Sequence, residues 1–389
     1  MNSFITPQNI YHGENSIEQL RTIVQDLNVT HAFLLTDPML KELEVIQPIE
    51  HILEDEGIRY DLSTNVVPEP PLAVGNEVVQ EIREKKPDLV IGVGGGSALD
   101  LSKASAVLAD HEGTVEDYLN LTGTKQLQSP GIPTVLIPTT AGTGAEITDI
   151  AVFSLEDTKD VITHKYLLAN YAIVDPQLTY TLPPKVTAAS GVDALTHAIE
   201  AFTSVNATPL TDTLAFDAMK RIVNNLRSAV WNPKAYHARK EMSLGSLIAG
   251  LSFYNAGVAG VHGLAYPLGG LFKIPHGEAN AVLLPYVYHR IWPSCLDKMY
   301  ELGEIFSISY EGKDKRQVAL EVVQALHELV KDVGLPTSIL EYKITLNDID
   351  QLTTNGMKQT RLLTRSPMPF DEKSIREVYQ HAFAGWESK

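Results

Sequence analysis

A chain of 389 residues, 44% apolar and 20% charged, has the make-up of a folded protein of two or three domains, not of a disordered or fibrous one. A formal net charge of -17 argues against nucleic-acid binding, which needs a basic face toward phosphate. The single cysteine, Cys295, excludes an intramolecular disulfide and a CxxC zinc ribbon and suits a reducing cytoplasm; residues 1–11 hold no apolar run and do not read as a signal peptide, and no stretch reads as a membrane span.

Residues 31–36 read as a strand that ends at Asp37-Pro38, and 58–62 as a second. Residues 76–84 have helical spacing through Val78, Val79 and Ile82 and stop near Pro87. Residues 88–93 form an apolar strand that runs into glycines, followed by further strands at 134–138 and 171–175. Short apolar strands separated by helix-length stretches predict a parallel sheet with helices on both faces. Leu182-Pro183-Pro184 marks a boundary, after which helical periodicity dominates at 186–202, 210–230, 235–255, 318–333 and 346–353. The predicted organisation is an α/β dinucleotide-binding domain over 1–184 and an all-helical, metal-binding domain over 185–389.

The first chemical signal is the turn after the 88–93 strand, Gly94-Gly95-Gly96-Ser97, with a helix expected from about Ala98. Glycines let backbone come close to a pyrophosphate, and a helix N-terminus offers free N–H groups with partial positive charge. Ser97 is placed as an N-cap or a phosphate donor. The motif is neither GxGxxG nor a Walker sequence, so a tight turn without ligand stays open. A second loop, 138–146, brings Thr139, Thr140 and Thr143 to the end of the next strand, where open α/β sheets bind ligands; an ordinary polar loop is the alternative. Asp37 suits either a helix N-cap or a contact to an adenosine ribose, which would favour NAD over NADP.

The second signal is histidine placement. Asp193 and His197 are i and i+4 on a strongly helical segment whose neighbours are apolar, so they need a partner there. A divalent metal is one partner, and a local Asp–His hydrogen bond is the other. His262 and His276 each precede a glycine in short, apolar, glycine-rich stretches. One Asp and three His suit Fe(II) or Zn(II) with a position left for a substrate oxygen. The remaining histidines are read as surface or structural.

With these residues in view, the chain resembles the iron-containing (group III) alcohol dehydrogenase family. The matching strings are GGGSALDLSK, PTTAGTGAE, GVDALTHAIEAFTS and the two segments HGLAYPLGG and IPHGEANAVLLPYV, within a likeness spanning residues 4 to 385. The resemblance implies a dehydroquinate synthase-like fold, a parallel-sheet dinucleotide-binding domain followed by an all-α domain, with metal and nicotinamide in the cleft between. It implies that Asp193, His197, His262 and His276 hold the metal and that Asp37 contacts the ribose. Gly94, Gly95, Gly96, Ser97, Asp100, Thr139, Thr140, Thr143 and Lys159 would serve the cofactor, and Phe253 the substrate pocket. The implied reaction is hydride transfer between a small alcohol and NAD, with the metal as Lewis acid on the substrate oxygen. Dimers are common in the family, so a homodimer is the matching expectation.

Three departures qualify the likeness. Tyr266 stands where many members have a second histidine, in the pattern HGMAH. Pro68-Glu69-Pro70 replaces Pro-Asn-Pro, and Ile150 replaces an asparagine found in some diol-handling members, which leaves a more apolar pocket. Two rival functions remain at this level: an NAD-using lyase or cyclase of the dehydroquinate synthase type, and an inactive scaffold of the same fold. The scaffold predicts loss of a ligand or of the glycine turn, and neither is lost.

Overall fold

The computed structural model describes residues 3–156, 158–232 and 234–386. The chain separates into two compact units, Ile5–Thr181 and a second that begins at Leu182.

In the first unit the strands are β1 (Asn9–His12), β2 (His31–Leu35), β3 (Arg59–Ser63), β4 (Leu89–Gly94), β5 (Thr134–Pro138), β6 (Ile150–Ser154), β7 (Lys159–Thr163) and β8 (Tyr171–Val174). Six of them form one parallel sheet in the order β1-β8-β5-β4-β2-β3. Every residue of β2, β4 and β5 is buried, which explains their unbroken apolar runs: interior parallel strands are covered on both faces. Side chains alternate along β2. Phe33 and Leu35 join Val78, Val79, Ile82 and Leu101 on one face, while Ala32 and Leu34 join Ile23, Ile49 and Ile52 on the other. The covering helices are α1 (Gln19–Asp26), α2 (Pro38–Glu42), α3 (Gln47–Asp55), α4 (Leu72–Lys85) and α5 (Gly96–Leu108).

Two elements were not anticipated. The edge strand β1 is short and carries no apolar run, and β6 and β7 pair as an antiparallel hairpin outside the main sheet.

The second unit is helical among its described residues: α6 (Pro184–Thr203), α7 (Pro209–Trp231), α8 (Tyr236–Ala256), α9 (Gly260–Phe272), α10 (His276–Ile291), α11 (Leu296–Ile305), α12 (Lys315–Asp332), α13 (Ile349–Met357), α14 (Thr360–Leu363) and α15 (Glu372–Ala384). The glycine-rich stretches around His262 and His276 are helices, α9 and α10, each with an internal proline, Pro267 and Pro285. Their glycines serve close packing. A Cβ on Gly277 would lie 2.5 Å from the carbonyl oxygen of Ala189, so only glycine lets the first turn of α10 approach α6 this closely. No single helix among the described residues is long and apolar enough to cross a membrane.

Candidate metal centre and cofactor loops

α6 presents Asp193, His197 and Glu200 at i, i+4 and i+7, all on one helix face and all buried. The first turn of α9 supplies His262, and α10 begins with His276. One ligand atom from each of Asp193, His197, His262 and His276 can be chosen so that all four lie within 4.8 Å of one another. Oδ1 of Asp193 is 3.7 Å from Nε2 of His262 and 3.7 Å from Nε2 of His276. Donors bonded to one tetrahedral Zn(II) stand roughly 3.4 Å apart, so the set is close to ligation geometry.

Asn280 tests whether a cation fits. Its Nδ2 lies 2.7 Å from Oδ1 of Asp193, 3.1 Å from Nε2 of His262 and 3.2 Å from Nε2 of His276. Three acceptors thus converge on one small region, while the buried Oδ1 of Asn280 has no partner. Converging acceptors beside an unsatisfied oxygen are what a cation would resolve. Burial pushes the Asp193 carboxyl upward, but His197, His276 and His262, helped by Asn280, leave it below the usual carboxylate value. The carboxylate is therefore ionised and ready to ligate.

An apolar wall adjoins the cluster. The ring of Phe253 stacks on His197 at 4.2 Å and 17°, and His197 in turn stacks on His262 at 4.7 Å. Phe253 packs with Ala201, Ala256, Val258, Leu362 and the partly buried Tyr266, whose ring centroid is 6.0 Å from that of His276. Cys295 takes no part: burial pushes its thiol up to about 12, far from a reactive thiolate.

In the first unit Asp37, the glycine turn and the three threonines, all expected to serve a cofactor, lie at the carboxyl ends of β2, β4 and β5. The chain leaves β2 outward to β3, then returns to β4 on the other side of β2, so a topological switch point falls between β2 and β4. Gly94 has φ 152°, and a Cβ there would meet Cβ of Ala98 at 2.7 Å, so both conformation and space require glycine. Gly95 is the N-cap of α5, and no side chain caps that end, which leaves its N–H groups for an anion. A Cβ on Gly96 would press Thr143 at 2.9 Å, and Thr140 lies 3.6 Å from the equivalent point on Gly95. Thr140 and Thr143 therefore stand against the glycine turn, whereas Thr139 is buried and ties its N–H to the carbonyl of Gly94 at 3.0 Å.

Several residues differ from their expected roles. Ser97 is not the N-cap. The helix starts at Gly96, two residues earlier than expected, and the Ser97 hydroxyl accepts from the N–H of Glu69 at 3.0 Å. Asp37 does cap a helix, accepting from the N–H of Leu40 at 3.0 Å, while its Oδ2 lies 3.9 Å from the point where a Gly94 Cβ would sit. One carboxylate thus serves the cap with one oxygen and faces the glycine turn with the other. Asp100 has both oxygens engaged, one with Lys103 at 2.8 Å and one with the N–H of Val152 at 3.0 Å. Lys159 pairs with Glu69 at 2.8 Å, so the glutamate of Pro68-Glu69-Pro70 meets the lysine expected to reach the cofactor. Ile150 is half-buried at the start of β6, and its carbonyl accepts from Lys103.

Glu200, Asn280, Lys103 and Glu146 were not singled out in the sequence. Glu200 shares the i, i+4, i+7 face with Asp193 and His197, and Asn280 is i+4 from His276, so helical spacing held the signal for both. Nothing in the sequence marks Lys103 as buried.

Burial pushes the Glu146 carboxyl up to about 7 from the usual 4.5, with Lys103 opposing only in part. Between those two values the folded state binds more protons than the unfolded one, so stability falls as pH rises through that window. The expected loss is about 3 kcal/mol. Glu146→Gln should flatten this slope and be more stable than the parent above neutral pH, as read from urea midpoints across the window.

An α/β unit with a glycine turn at a topological switch point, followed by a helical unit whose Asp and three His side chains could hold a cation, fits the class of metal-dependent enzymes. Comparison with known proteins gives the family. Residues 7–176 match the model of iron-containing alcohol dehydrogenase, and residues 187–383 match that of the C-terminal part of the Fe-containing alcohol dehydrogenase family. The chain belongs to the iron-containing alcohol dehydrogenases and is an alcohol oxidoreductase. It is 51% identical over 373 residues to long-chain-alcohol dehydrogenase 1 of Geobacillus thermodenitrificans, covering 96% of this chain and 94% of that protein. The crystal structure of a 1,3-propanediol oxidoreductase superposes with a TM-score of 0.94 at 32% identity, over 98% of this chain and 100% of that one. Sulfoacetaldehyde reductase from Bifidobacterium kashiwanohense, solved in complex with NAD+, superposes with a TM-score of 0.87 at 27% identity, over 98% of each chain.

Proposed function

We propose that this alcohol dehydrogenase is NAD-dependent, holds Fe(II) or Zn(II), and acts on apolar, extended primary alcohols and their aldehydes. The observation that carries the reading is the convergence of Asp193, His197, His262 and His276 from three helices. A divalent cation held by these four side chains supplies Lewis acidity toward the oxygen of an alcohol or carbonyl group. The chain's own residues do the rest. Asp193 brings one negative charge against three imidazoles, Phe253 keeps water from one side of His197, and the glycine turn with Thr140 and Thr143 offers the cradle for a pyrophosphate. Asp37 favours a ribose diol and repels a 2′-phosphate, which supports NAD over NADP.

The apolar wall of Phe253, Val258 and Leu362 supports a hydrocarbon substrate. The name of the Geobacillus relative points the same way. The single buried cysteine suits a reducing cytoplasm.

The test is a panel from ethanol to dodecanol, with 1,3-propanediol included, read by NADH absorbance on protein of measured metal content. The expected kcat/KM rises with chain length by up to about four-fold for each methylene that is buried, and NAD outperforms NADP. A flat profile, or a preference for the diol, would sink the apolar assignment.

A further inference from the structure

We propose that Glu200 is a positioning residue for the metal centre, holding His262 in the tautomer that carries its proton on Nδ1 while closing the N-terminal end of α9. The proposal rests on the metal reading above and adds a residue to it.

The first turn of a helix has N–H groups with no intrahelical acceptor. α9 begins after Ala259, and no side chain of its own segment caps it. The cap comes from another helix. The N–H of Val261 donates to Oε1 of Glu200 at 2.6 Å, and the N–H of His262 lies 3.5 Å from Oε2. A buried carboxylate is favoured there by the partial positive charge of the helix end.

The same Oε2 is 2.5 Å from Nδ1 of the His262 ring. An ionised carboxylate can only accept, so Nδ1 must carry the hydrogen. Nε2 is then left with its lone pair, on the side where Oδ1 of Asp193 lies 3.7 Å away. Glu200 therefore sets both where the His262 backbone sits and which ring nitrogen is free to ligate. Partners of this kind orient a ligand and raise its basicity. Because Glu200 is seven residues from Asp193 on α6, one helix carries two ligands and the group that aims a third.

Glu200→Gln keeps the shape and removes the double acceptor. The amide oxygen can serve either the Val261 N–H or the His262 ring, not both. With the oxygen on Val261, the NH2 group faces Nδ1, which must now accept, and the proton moves to Nε2 where the metal should bind.

The experiment has two readouts on metal-free protein. Titration with Co(II), followed by its visible absorption, should show affinity falling by about 10- to 100-fold in Glu200→Gln. Thr203→Val, on the same helix as Glu200, removes a buried hydroxyl contact to Tyr288 of α10 and should bind Co(II) like the parent. Nitrogen NMR of labelled histidines should find Nδ1–H for His262 in the parent and Nε2–H in the variant. Unchanged Co(II) affinity in Glu200→Gln overturns the proposal alone. A parent that binds no Co(II) overturns the metal reading and the proposal with it. If Glu200→Gln does not fold, the parent spectrum decides: an Nε2–H tautomer for His262 there ends the proposal.

Discussion

His262→Ala and His276→Ala should each lose bound metal and about 10³-fold or more in kcat/KM, because Lewis-acid stabilisation of several kcal/mol goes with the cation. The two variants should differ in stability. The His262 side chain is 3% exposed and engages Glu200 at 2.5 Å, so its loss leaves a buried carboxylate oxygen with only the distant backbone N–H of residue 262, at 3.5 Å. That costs about 1–3 kcal/mol. The His276 side chain is 29% exposed and opens a helix, so its removal should leave the metal-free protein close to the parent in unfolding temperature. Metal analysis after gel filtration, paired with thermal unfolding with and without chelator, separates the two effects. Parent-level metal and turnover in either variant would remove that histidine from the site.

Lys103→Met should destabilise the first unit by about 3–5 kcal/mol, the range expected when one partner of a buried ion pair is removed. Lys103 is fully buried in α5. Its ammonium meets Oδ1 of Asp100 at 2.8 Å, the carbonyl of Ala145 at 2.8 Å and the hydroxyl of Thr148 at 3.2 Å, and also the carbonyl of Ile150. Burial holds the Asp100 carboxyl above its usual value even with Lys103 pulling it down. A methionine keeps the length of the stem but strands that carboxylate and the carbonyls around it. The effect should reach function as well. The segment that Lys103 clamps joins Thr143 to Ile150, so KM for NAD, the cofactor proposed above, should rise along with the loss of stability. Asp100→Leu added to Lys103→Met should restore part of the stability, since the uncompensated charge is then gone. Urea unfolding of the single variant within about 1 kcal/mol of the parent would show that the clamp is not structural.

The parallel sheet was legible because its interior strands are buried on both faces. The runs at 88–93 and 134–138 could be apolar throughout only if helices covered them on both sides. Helices α6, α7, α8 and α12 were legible from periodicity, with ends within a few residues of those observed. The hairpin of β6 and β7 was not, since its strands depend on each other and on α5 rather than on an apolar run. α9 and α10 were hidden by glycine and proline, which lower local helix propensity. Burial against α6 overrides that preference, and the glycines that weaken the helices are what let them come close.

Local order along the chain was enough to name the residue types of the metal cluster, since an aspartate and a histidine one turn apart among apolar neighbours demand a partner wherever the helix goes. It was also enough to mark the glycine turn as a candidate phosphate cradle, since a buried strand runs through three glycines into a helix, with a tight turn without ligand as the alternative. Which groups hold those residues in place was decided only in three dimensions. Glu200 capping α9, Asn280 beneath the three acceptors, Lys103 clamping the loop after β5 and Glu69 meeting Lys159 all join residues distant in sequence. Burial and the partners of a charge are properties of the packed chain, and no spacing along one helix or strand can specify a group that arrives from another.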